Sequence, residues 1–372
     1  MFEKLNLKFL KDEFDKERDV SKIRTDEFSL PLVNAKDGDN GIMYYGREQD
    51  FETSTMTIDI VNDGAVSTGN VYSQPQKTGV LYNAYLIKPN FQVNTNILHF
   101  FTTSIFKSIK HKYGYENKAG WEKVKNENIQ LPITSTGEID FDFMESFISE
   151  LEEERISELN AYLDVTGLKD YTSTKEEENA LQDFSSLTWQ EFRLEDLFEK
   201  VNLRYRKDKF DKENDVSKNK TEEFSLPLVN AKDGDNGIMY YGRPNDFESA
   251  EMTIDIVNDG AISTGNVYSQ PQKTGVLYNA YLIKPKFQVN TEILHFFTTS
   301  IFKSIKLKYG YENKAGWEKV KNEYILLPTK NGEPNYTFME TFISAIQKLV
   351  IKDVVLYADK KICATKDVIQ KR

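Results

Sequence analysis

The sequence predicts an α/β (α+β) fold made of two tandem domains, each of which mixes β-sheet with helices. The first observation is an internal repeat, because Leu30–Arg47 returns letter for letter at Leu226–Arg243. The second is the series of tight-turn pairs and alternating apolar residues inside each copy, which is typical of strands. The third is a long amphipathic helix after each copy. The repeat is far longer than the roughly 20–50 residues of solenoid repeats, so each copy should be a whole domain.

The composition indicates a soluble globular protein with room for two cores. The chain has 372 residues, of which 39% are hydrophobic and 29% are charged. One cysteine cannot form an internal disulfide, and neither a membrane-spanning run nor a signal-peptide core is present in the sequence. We therefore expect a cytoplasmic protein with no membrane partner. The net charge of −11 counts mildly against nucleic-acid binding, although lysines concentrate in Lys107–Lys125.

The β signals come first in each copy. The Asp-Gly and Asn-Gly pairs of Asn34–Gly41 predict tight turns, and Met56–Val61 alternates as a strand does. A second strand should begin at Ala65 and a third should cover Val80–Ile87, with the polar loop Ser73–Gly79 between them. The first half of each copy is therefore predicted to be mainly sheet.

The helical signals follow. His99–His111 carries apolar residues at helical spacing, and Phe141–Leu163 carries an apolar stripe that begins at Met144. Such a stripe favours packing against another helix. The acidic, polar segment Asp164–Ser186 reads as a linker and not as a core element. The predicted boundaries are residues 1–138 for the first domain, 139–163 for the first long helix, 164–186 for the linker, 187–334 for the second domain and 335–372 for the second long helix.

No catalytic, phosphate-binding or metal signature is present in the sequence. There is no P-loop and no GxGxxG motif, and His111 of the first copy is replaced by Leu307 in the second. The aspartates and asparagines near the turns miss the spacing of an EF-hand loop and read as turn formers. An Asn/Asp-Pro-Pro-Tyr/Phe motif is also absent, so the chain does not look like an amino-methyltransferase. We expect no catalytic residue, metal ligand or cofactor.

The repeat instead preserves polar and aromatic residues in loops. Glutamine can read adenine edges, and arginine and lysine can read guanine or hold phosphates. The alternative for the glutamines and lysines is a solvated loop, and the alternative for the tyrosines is a core or rim aromatic. The candidate DNA-contacting residues of the first copy are Lys36, Tyr44, Arg47, Gln74, Gln76, Lys77, Lys107, Lys110, Lys112, Tyr113 and Lys118. Those of the second copy are Lys232, Tyr240, Arg243, Gln270, Gln272, Lys273, Lys303, Lys306, Lys308, Tyr309 and Lys314.

The order domain, long helix, domain, long helix resembles the specificity (S) subunit of type I restriction-modification systems and of the related type IIB systems. Trp189–Phe198 resembles the usual start of a target-recognition domain, the Leu-Pro pairs at Leu131 and Leu327 resemble its end, and Gly137–Phe147 resembles the approach to the long helix. The repeated NAKDGDNGIMYYGR and STGNVYSQPQKTG resemble the type IIB-like branch. One departure is that no counterpart of the Trp189 segment precedes the first copy.

The resemblance implies a fold and a role. The fold is two target-recognition domains separated by an antiparallel coiled-coil pair of long helices. The role is to bind double-stranded DNA at a bipartite target and to recruit two methyltransferase (M) subunits, with an endonuclease (R) subunit in restricting complexes. Nearly identical domains imply a split palindrome. The alternatives are a duplicated carbohydrate- or protein-binding module and an enzyme with an unrecognised carboxylate pair. A neighbouring methyltransferase gene would distinguish these readings. The bases read, the spacer length and the choice between type I and type IIB assembly stay open.

Overall fold

The computed structural model describes the backbone of residues 1–370 and the side chains of residues 1–363. The chain forms two compact units, Met1–Leu159 and Asn160–Arg372. Each unit contains one copy of the repeat, and both combine helices with sheets. The predicted α/β class is confirmed.

The first unit contains two four-stranded sheets. Its strands are β1 (Phe2–Lys4), β2 (Val20–Ser21), β3 (Leu30–Val33), β4 (Ile42–Gly46), β5 (Thr57–Val61), β6 (Val71–Gln74), β7 (Gly79–Val80) and β8 (Ala84–Pro89). Its helices are α1 (Lys16–Asp19), α2 (Thr95–Ile109), α3 (Trp121–Val124) and α4 (Phe141–Val165), the last of which continues past the unit boundary. The strand orders are β1-β8-β5-β6 and β2-β4-β3-β7. Strand β3 is parallel to β7, whereas the other pairs are antiparallel.

The main core of this unit lies between β5 and α2. Ile58 and Ile60 of β5 belong to one buried cluster with Leu98 and Phe101 of α2. The helix begins before the predicted His99, because the Asn94 side chain accepts a 2.9 Å hydrogen bond from the Ile97 N–H and caps the first turn. Strand β6 is the neighbour of β5 in the sheet, so the core also fixes the position of β6. The candidate loop follows at the end of β6.

The tight turns predicted for Asn34–Gly41 are confirmed. Gly38 has φ 81° and Gly41 has φ 75°, in the left-handed region that favours glycine. A Cβ at Gly41 would lie 2.4 Å from Oδ2 of Asp59, so a side chain is also excluded by space. The glycines of the repeat thus let one loop lie directly over a strand.

Two strand predictions were wrong in their bounds. Ala65 does not begin a strand, because residues 65–67 form a 3₁₀ turn and β6 begins only at Val71. The apolar run Val80–Ile87 is not one strand, because the chain leaves one sheet after Val80 and joins the other at Ala84. A change of sheet has no local hydrophobic signature, so the run looked continuous.

The second unit repeats this arrangement. Its strands are β9 (Trp189–Arg193), β10 (Phe198–Lys200), β11 (Val216–Ser217), β12 (Leu226–Val229), β13 (Ile238–Gly242), β14 (Thr253–Val257), β15 (Val267–Gln270), β16 (Gly275–Val276), β17 (Ala280–Pro285), β18 (Tyr324–Lys330) and β19 (Glu333–Pro334). Its helices are α5 (Lys175–Asp183), α6 (Leu194–Leu197), α7 (Lys212–Asp215), α8 (Thr291–Ile305), α9 (Trp317–Val320) and α10 (Tyr336–Gln370). The sheets β10-β17-β14-β15 and β11-β13-β12-β16 match those of the first unit, and β19-β18-β9 is additional.

The segment predicted as a linker, Asp164–Ser186, is partly wrong. It contains α5, which begins with a capping box between Thr174 and Glu177 and packs against α10. Glu177 is buried and accepts hydrogen bonds from Ser344 at 2.6 Å and from Lys348 at 3.0 Å. The acidic composition concealed this contact because the partner residues lie far along the chain.

Both predicted long helices are present. Helix α4 ends at Val165, slightly beyond the predicted Leu163. Of the predicted apolar stripe, Met144 is buried, whereas Phe147, Leu151 and Tyr162 are exposed. The packing of the two long helices on each other stays a prediction.

Candidate nucleic-acid interface

The turn at residues 62–70 projects an apolar side chain into solvent. The Gly64 N–H donates a 2.9 Å hydrogen bond to Thr68 Oγ1 and so closes the turn. Ala65 stands at φ 52°, a conformation that non-glycine residues seldom adopt and that often marks a functional loop. The consequence is that Val66 is 79% exposed at the tip.

Lys110 holds this turn in place. Its Nζ donates hydrogen bonds to the carbonyl oxygens of Val66 and Thr68, at 2.7 and 3.1 Å. Partial burial lowers the pKa of the ammonium. Lys306 makes the same two bonds in the second unit, at 2.8 and 3.2 Å. An ammonium has three donors, so one N–H of Lys110 is left for a phosphate. Its first role is to position the turn.

Lys118 lies on the flank of the same turn. Its Nζ forms an ion pair with Oδ1 of Asp63 and stands 4.7 Å from the ring centre of Tyr115. Tyr115 is 75% exposed. A lysine over an exposed aromatic ring presents a positive charge beside a flat apolar surface, which suits a phosphate next to a base or sugar.

The loop at residues 36–41 adds a third lysine. Asn70 Nδ2 donates to Asp37 Oδ1 at 2.8 Å and ties this loop to the turn. The Tyr72 hydroxyl accepts from the Gly38 N–H at 3.0 Å, and Lys36 Nζ lies 3.0 Å from Asp39. We use the name turn cluster for Val66, Tyr115, Lys36, Lys110 and Lys118 of the first unit and for Ile262, Tyr311, Lys232, Lys306 and Lys314 of the second.

Lys112 and Tyr113 share one carboxylate. Lys112 Nζ pairs with Glu127, and the Tyr113 hydroxyl donates to the same carboxylate at 2.8 Å. These partners, Lys112 first, hold the pKa of Glu127 below its usual value, while burial and Glu127 raise the pKa of Tyr113 to about 12. Lys308 and Tyr309 repeat the pattern on Glu323. The arrangement anchors the loop that carries Tyr115.

Tyr44 lies in β4 of the sheet β2-β4-β3-β7, and Arg47 directly follows β4. The Arg47 guanidinium lies 2.6 Å from Glu27 and 3.4 Å from Asp50, and stands 4.3 Å over the Phe28 ring. Tyr44 is buried in the small core of that sheet. Tyr240 is buried in the matching cluster of the second unit. Burial therefore favours a structural role over DNA contact for both tyrosines.

The loop after β6 separates into a buried and an exposed part. Gln74 is buried, and its Nε2 donates to the Asn40 carbonyl at 2.7 Å. Its role is to hold the 36–41 loop, so the prediction that Gln74 reads a base edge is corrected; Gln270 repeats the bond. Gln76 and Lys77 are exposed. Their prediction as base readers stays a prediction.

The two units differ at this loop. Lys77 Nζ pairs with Glu48, whereas the second unit has Pro244 at that position. Among the described residues, Lys273 has no ion pair. The Glu48 difference between the units therefore lies beside a candidate reader, because the Glu48 carboxylate contacts Lys77.

The remaining predicted sites occupy matching positions in the second unit. Lys107 and Lys303 are exposed near the ends of α2 and α8. The second unit also repeats the Arg47 contacts at Arg243, with Glu223 at 2.6 Å and Asp246 at 3.4 Å. The two copies of the surface therefore have nearly the same geometry.

Sequence reasoning missed the apolar tip of the turn cluster. Val66 corresponds to Ile262, which is 83% exposed. The only sign of this tip in the sequence is that the turn after Asp-Gly carries an apolar residue in both copies. Because an exposed β-branched residue stands at this tip in both units, we treat it as a candidate contact residue.

The described residues lack two kinds of feature. In the part of the chain that the structure describes, no group of three or more His, Cys, Asp or Glu side chains is placed to hold a metal ion. No helix within that part is long and apolar enough to cross a membrane.

The duplicated fold and its duplicated basic loops define a class of protein, a two-domain recognition chain. A sequence model of the family described as "Type I restriction modification DNA specificity domain" matches residues 3–161 and 186–356. The chain belongs to this family. It is a specificity subunit of a restriction-modification system, which recognises DNA sequence and is not itself catalytic.

Known proteins agree with this assignment. The chain is 25% identical over 345 residues to the specificity subunit S.BcgI of a type II restriction enzyme from Heyndrickxia coagulans, and the match covers 90% of each chain. It is also similar in fold to the S subunit of a type I restriction-modification system from M. genitalium. That match has 15% identity and a TM-score of 0.50, and it covers 100% of this chain and 94% of the other.

Proposed function

We propose that the two domains read the same short sequence in inverted orientation, so that the target is a split palindrome. The observation that carries this proposal is the match between the two turn clusters. Each holds its tip with a lysine that bonds the same two carbonyls, and the paired distances differ by about 0.1 Å. Equivalent surfaces on pseudo-symmetric domains read inverted half-sites.

The DNA-facing surface is the turn cluster together with the exposed end of the loop after β6. Loop 36–41 contacts both, because Asp37 bonds Asn70 at one end of β6 and Asn40 bonds Gln74 at the other. Asn70 and Gln74 are four positions apart along extended chain, which corresponds to roughly 13 Å. Gln76 and Lys77 read base edges, while the lysines of the turn cluster hold phosphates and Val66 inserts against the bases or sugars.

The ion pairs of the free protein are compatible with this role. Lys118 and Asp63 are each about two-fifths exposed. Exposed pairs of this kind contribute roughly 0–1 kcal/mol, so a phosphate can replace the carboxylate at small cost. The carboxylates also keep the surface from binding polyanions indiscriminately, which agrees with the net charge of −11.

The long helices set the distance between the half-sites. Helix α4 has 25 residues, and at roughly 1.5 Å per residue it spans on the order of 37 Å. One turn of B-DNA measures roughly 34–36 Å. The length of α4 is therefore close to the half-site spacing of about one turn that we propose.

The assembly contains two methyltransferase (M) subunits for each copy of this chain, with an endonuclease (R) subunit where restriction occurs, and it acts in the cytoplasm. Support comes from the internal repeat, since two equivalent units offer two equivalent docking positions. Native mass spectrometry of the co-expressed complex tests the ratio. A complex with one M subunit would contradict it.

A domain-duplication experiment tests the palindrome. Replacing residues 30–127 by residues 226–323, which are the same length, gives a chain whose two recognition surfaces are identical. Selection from random duplexes should return the same target for this chain and for the parent, each in complex with its M partner. A changed half-site would show that the few differing residues specify different sequences.

A further inference from the structure

The same groove is present in both units. In the second unit, it has a volume of about 610 Å³ and lies between residues 200–205 and residues 276–281, where the chain passes from β16 to β17. In the first unit, the matching groove has a volume of about 330 Å³ and lies between residues 4–9 and residues 80–85. Strand β9 and helix α6 precede the groove segment of the second unit and do not line it. Cavities of this volume commonly hold one small ligand.

Aromatic rings line this groove. In the second unit, Tyr205, Phe210 and Phe247 pack against one another with ring centres between 4.9 and 6.3 Å apart. Tyr278 lines the same groove, but its side chain is 62% exposed, and its counterpart Tyr82 is 66% exposed. An exposed tyrosine beside a cluster of packed rings offers a flat apolar surface on which an aromatic ligand can stack.

A row of polar side chains runs along residues 200–204. Lys200, Asn202 and Arg204 are exposed, whereas the residues between them are half-buried. This alternation places the three side chains on one face, at steps of roughly 6.6 Å for an extended chain. The carboxamide of Asn202 has no hydrogen-bond partner among the described residues. In the first unit, the row consists of Lys4, Asn6 and Lys8.

The cations at the groove lack acidic partners in the described part of the chain. Neither Lys200 nor Lys212 forms an ion pair there, and no aspartate or glutamate lines the groove. Lys200 stands 5.5 Å from the ring centre of Tyr281. Tyr240 first, and then Tyr278, raise the pKa of Lys212, which places this ammonium near the exposed ring. The chain has 59 Asp and Glu against 48 Lys and Arg, so a concave surface with unpaired cations and no carboxylate favours an anionic ligand.

The first unit carries the same charges. Lys4 stands 5.3 Å from the ring centre of Tyr85. Tyr44 first, and then Tyr82, raise the pKa of Lys16. Within the described residues, neither lysine forms an ion pair, and no aspartate or glutamate lines this groove. The charge pattern therefore repeats together with the shape.

We propose that each groove binds an unpaired nucleotide. In the second unit, the base stacks on Tyr278, and the phosphate lies between Lys200 and Lys212. The carboxamide of Asn202 bonds the edge of the base, a contact for which asparagine is well suited when the base is adenine. The same roles in the first unit belong to Tyr82, Lys4, Lys16 and Asn6. Stacking on aromatic rings, combined with charge contacts to the backbone, is the general means by which proteins hold single-stranded nucleic acid.

The groove lies next to the turn cluster. The Asn83 carbonyl, one residue after Tyr82, accepts hydrogen bonds from the N–H groups of Asn62 and Asp63 at 2.9 and 3.2 Å. The second unit repeats both bonds at Asn279. An unpaired nucleotide therefore has two sources, a single strand and an unpaired position within a duplex that the turn cluster holds. Binding of a single strand does not require that the target be a split palindrome, so the experiments on the two are independent.

The experiment titrates the full-length chain with a single-stranded tetranucleotide that carries 2-aminopurine among deoxythymidines, because the fluorescence of this base falls when it stacks. Two tetranucleotides should bind per chain. Replacing Tyr82 and Tyr278 together by leucine should weaken binding by at least about fivefold, because the base loses its aromatic partner at each site. Replacing Lys4 and Lys200 together by alanine should lower the slope of log affinity against log salt by about 0.7 per site, the value for one phosphate contact of a single strand.

Matched controls locate the site and its source of ligand. Tyr82→Phe with Tyr278→Phe keeps both rings and should bind as the parent does. Tyr324→Leu removes an exposed ring outside the groove and should also leave binding unchanged. A duplex with one bulged nucleotide should lose affinity in the leucine variant of the groove, whereas a fully paired duplex of the same sequence should not.

Three results would overturn the proposal. The first is no binding of the tetranucleotide up to roughly 1 mM. The second is equal binding by the leucine variant of the groove and the parent. The third is a loss of affinity for the fully paired duplex as large as the loss for the single strand, which would show that the groove belongs to the surface that contacts paired DNA.

Discussion

The carboxamide of Gln74 donates a 2.7 Å hydrogen bond to the backbone carbonyl of Asn40, and Gln270 does the same to Asn236 at 2.7 Å. The first bond fastens the 36–41 loop to the end of β6, and the second fastens the matching 232–237 loop to the end of β15. A glutamine that appeared to be a base reader is thus part of the scaffold that supports the reading surface. The two glutamines of the Gln-Pro-Gln sequence have separate roles.

Replacing Gln74 and Gln270 together by alanine should destabilise both domains and weaken binding to all sequences alike. The Asn40 and Asn236 carbonyls lose their glutamine donors, and a hydrogen bond of this kind contributes roughly 0.5–1.5 kcal/mol for each site. Denaturant unfolding and binding to matched and mismatched duplexes measure the two effects. Loss of discrimination with unchanged stability would contradict the scaffold role.

Replacing Gln76 and Gln272 by alanine should have the opposite result. In the described part of the chain, neither of these exposed side chains has a hydrogen-bond partner, so the free energy of unfolding should change by less than about 0.5 kcal/mol. Discrimination at one base pair of each half-site should fall by roughly 1–3 kcal/mol. If both variants discriminate as the parent does, the loop lies outside the interface.

Glu48→Gln should raise the affinity of the first domain for DNA. The change keeps the size of the side chain and removes the negative charge that pairs with Lys77. The salt dependence of binding should steepen by up to about one unit, because one more lysine is free to displace a counterion. Pro244→Glu is the reciprocal control and should weaken the second domain. Binding across several salt concentrations that shows no change in either variant would remove Lys77 from the surface.

Asp59 and Asp255 should make stability depend on pH. Both carboxyl groups are fully buried without a hydrogen-bond partner among the described residues, and burial raises each pKa well above 3.8. The folded state thus holds protons that the unfolded state releases. Stability is highest below the unfolded pKa and falls as the pH rises through the interval up to the folded pKa.

The double variant Asp59→Asn with Asp255→Asn keeps the shape and removes the titration. It should resemble the parent near about pH 4 and become progressively more stable than the parent as the pH approaches about 8. Unfolding midpoints at several pH values measure the gap. A gap that stays constant with pH would show that these carboxyl groups do not titrate differently on folding.

Inserting one heptad into each of α4 and α10 should lengthen the preferred DNA spacer. Seven residues add roughly 10 Å of helix, which corresponds to about three base pairs at 3.4 Å each. Duplexes with a series of spacer lengths, assayed in parallel with the parent, measure the preference. An unchanged optimum would refute the proposal that the helices set the spacing.

The sequence predicted those features of the fold that depend on residues close together in the chain. The exact repeat, the glycines of the 36–41 loop and the stripe that begins at Met144 each carry a signal within a few residues. Features made by distant residues were missed. The contacts of Glu177 with Ser344 and of Glu48 with Lys77 join residues far apart in sequence. Composition alone therefore predicted a linker around Glu177 and gave no signal of the Glu48 contact.

The candidate site was predicted in part for the same reason. Residue type and duplication identified the loops, but only the fold separates Gln74, which is buried, from Gln76, which is exposed. Exposure of the apolar Val66 depends on the strained backbone at Ala65, for which no sequence rule exists. Burial and strain are properties of the assembled structure.

The most direct test of the central claim is a genome-wide map of methylated adenines in cells that carry this chain with its methyltransferase partner. Two equivalent domains predict an interrupted inverted repeat in which both strands are modified and the two half-sites have the same sequence. Two unrelated half-sites, or a single continuous site, would contradict the account.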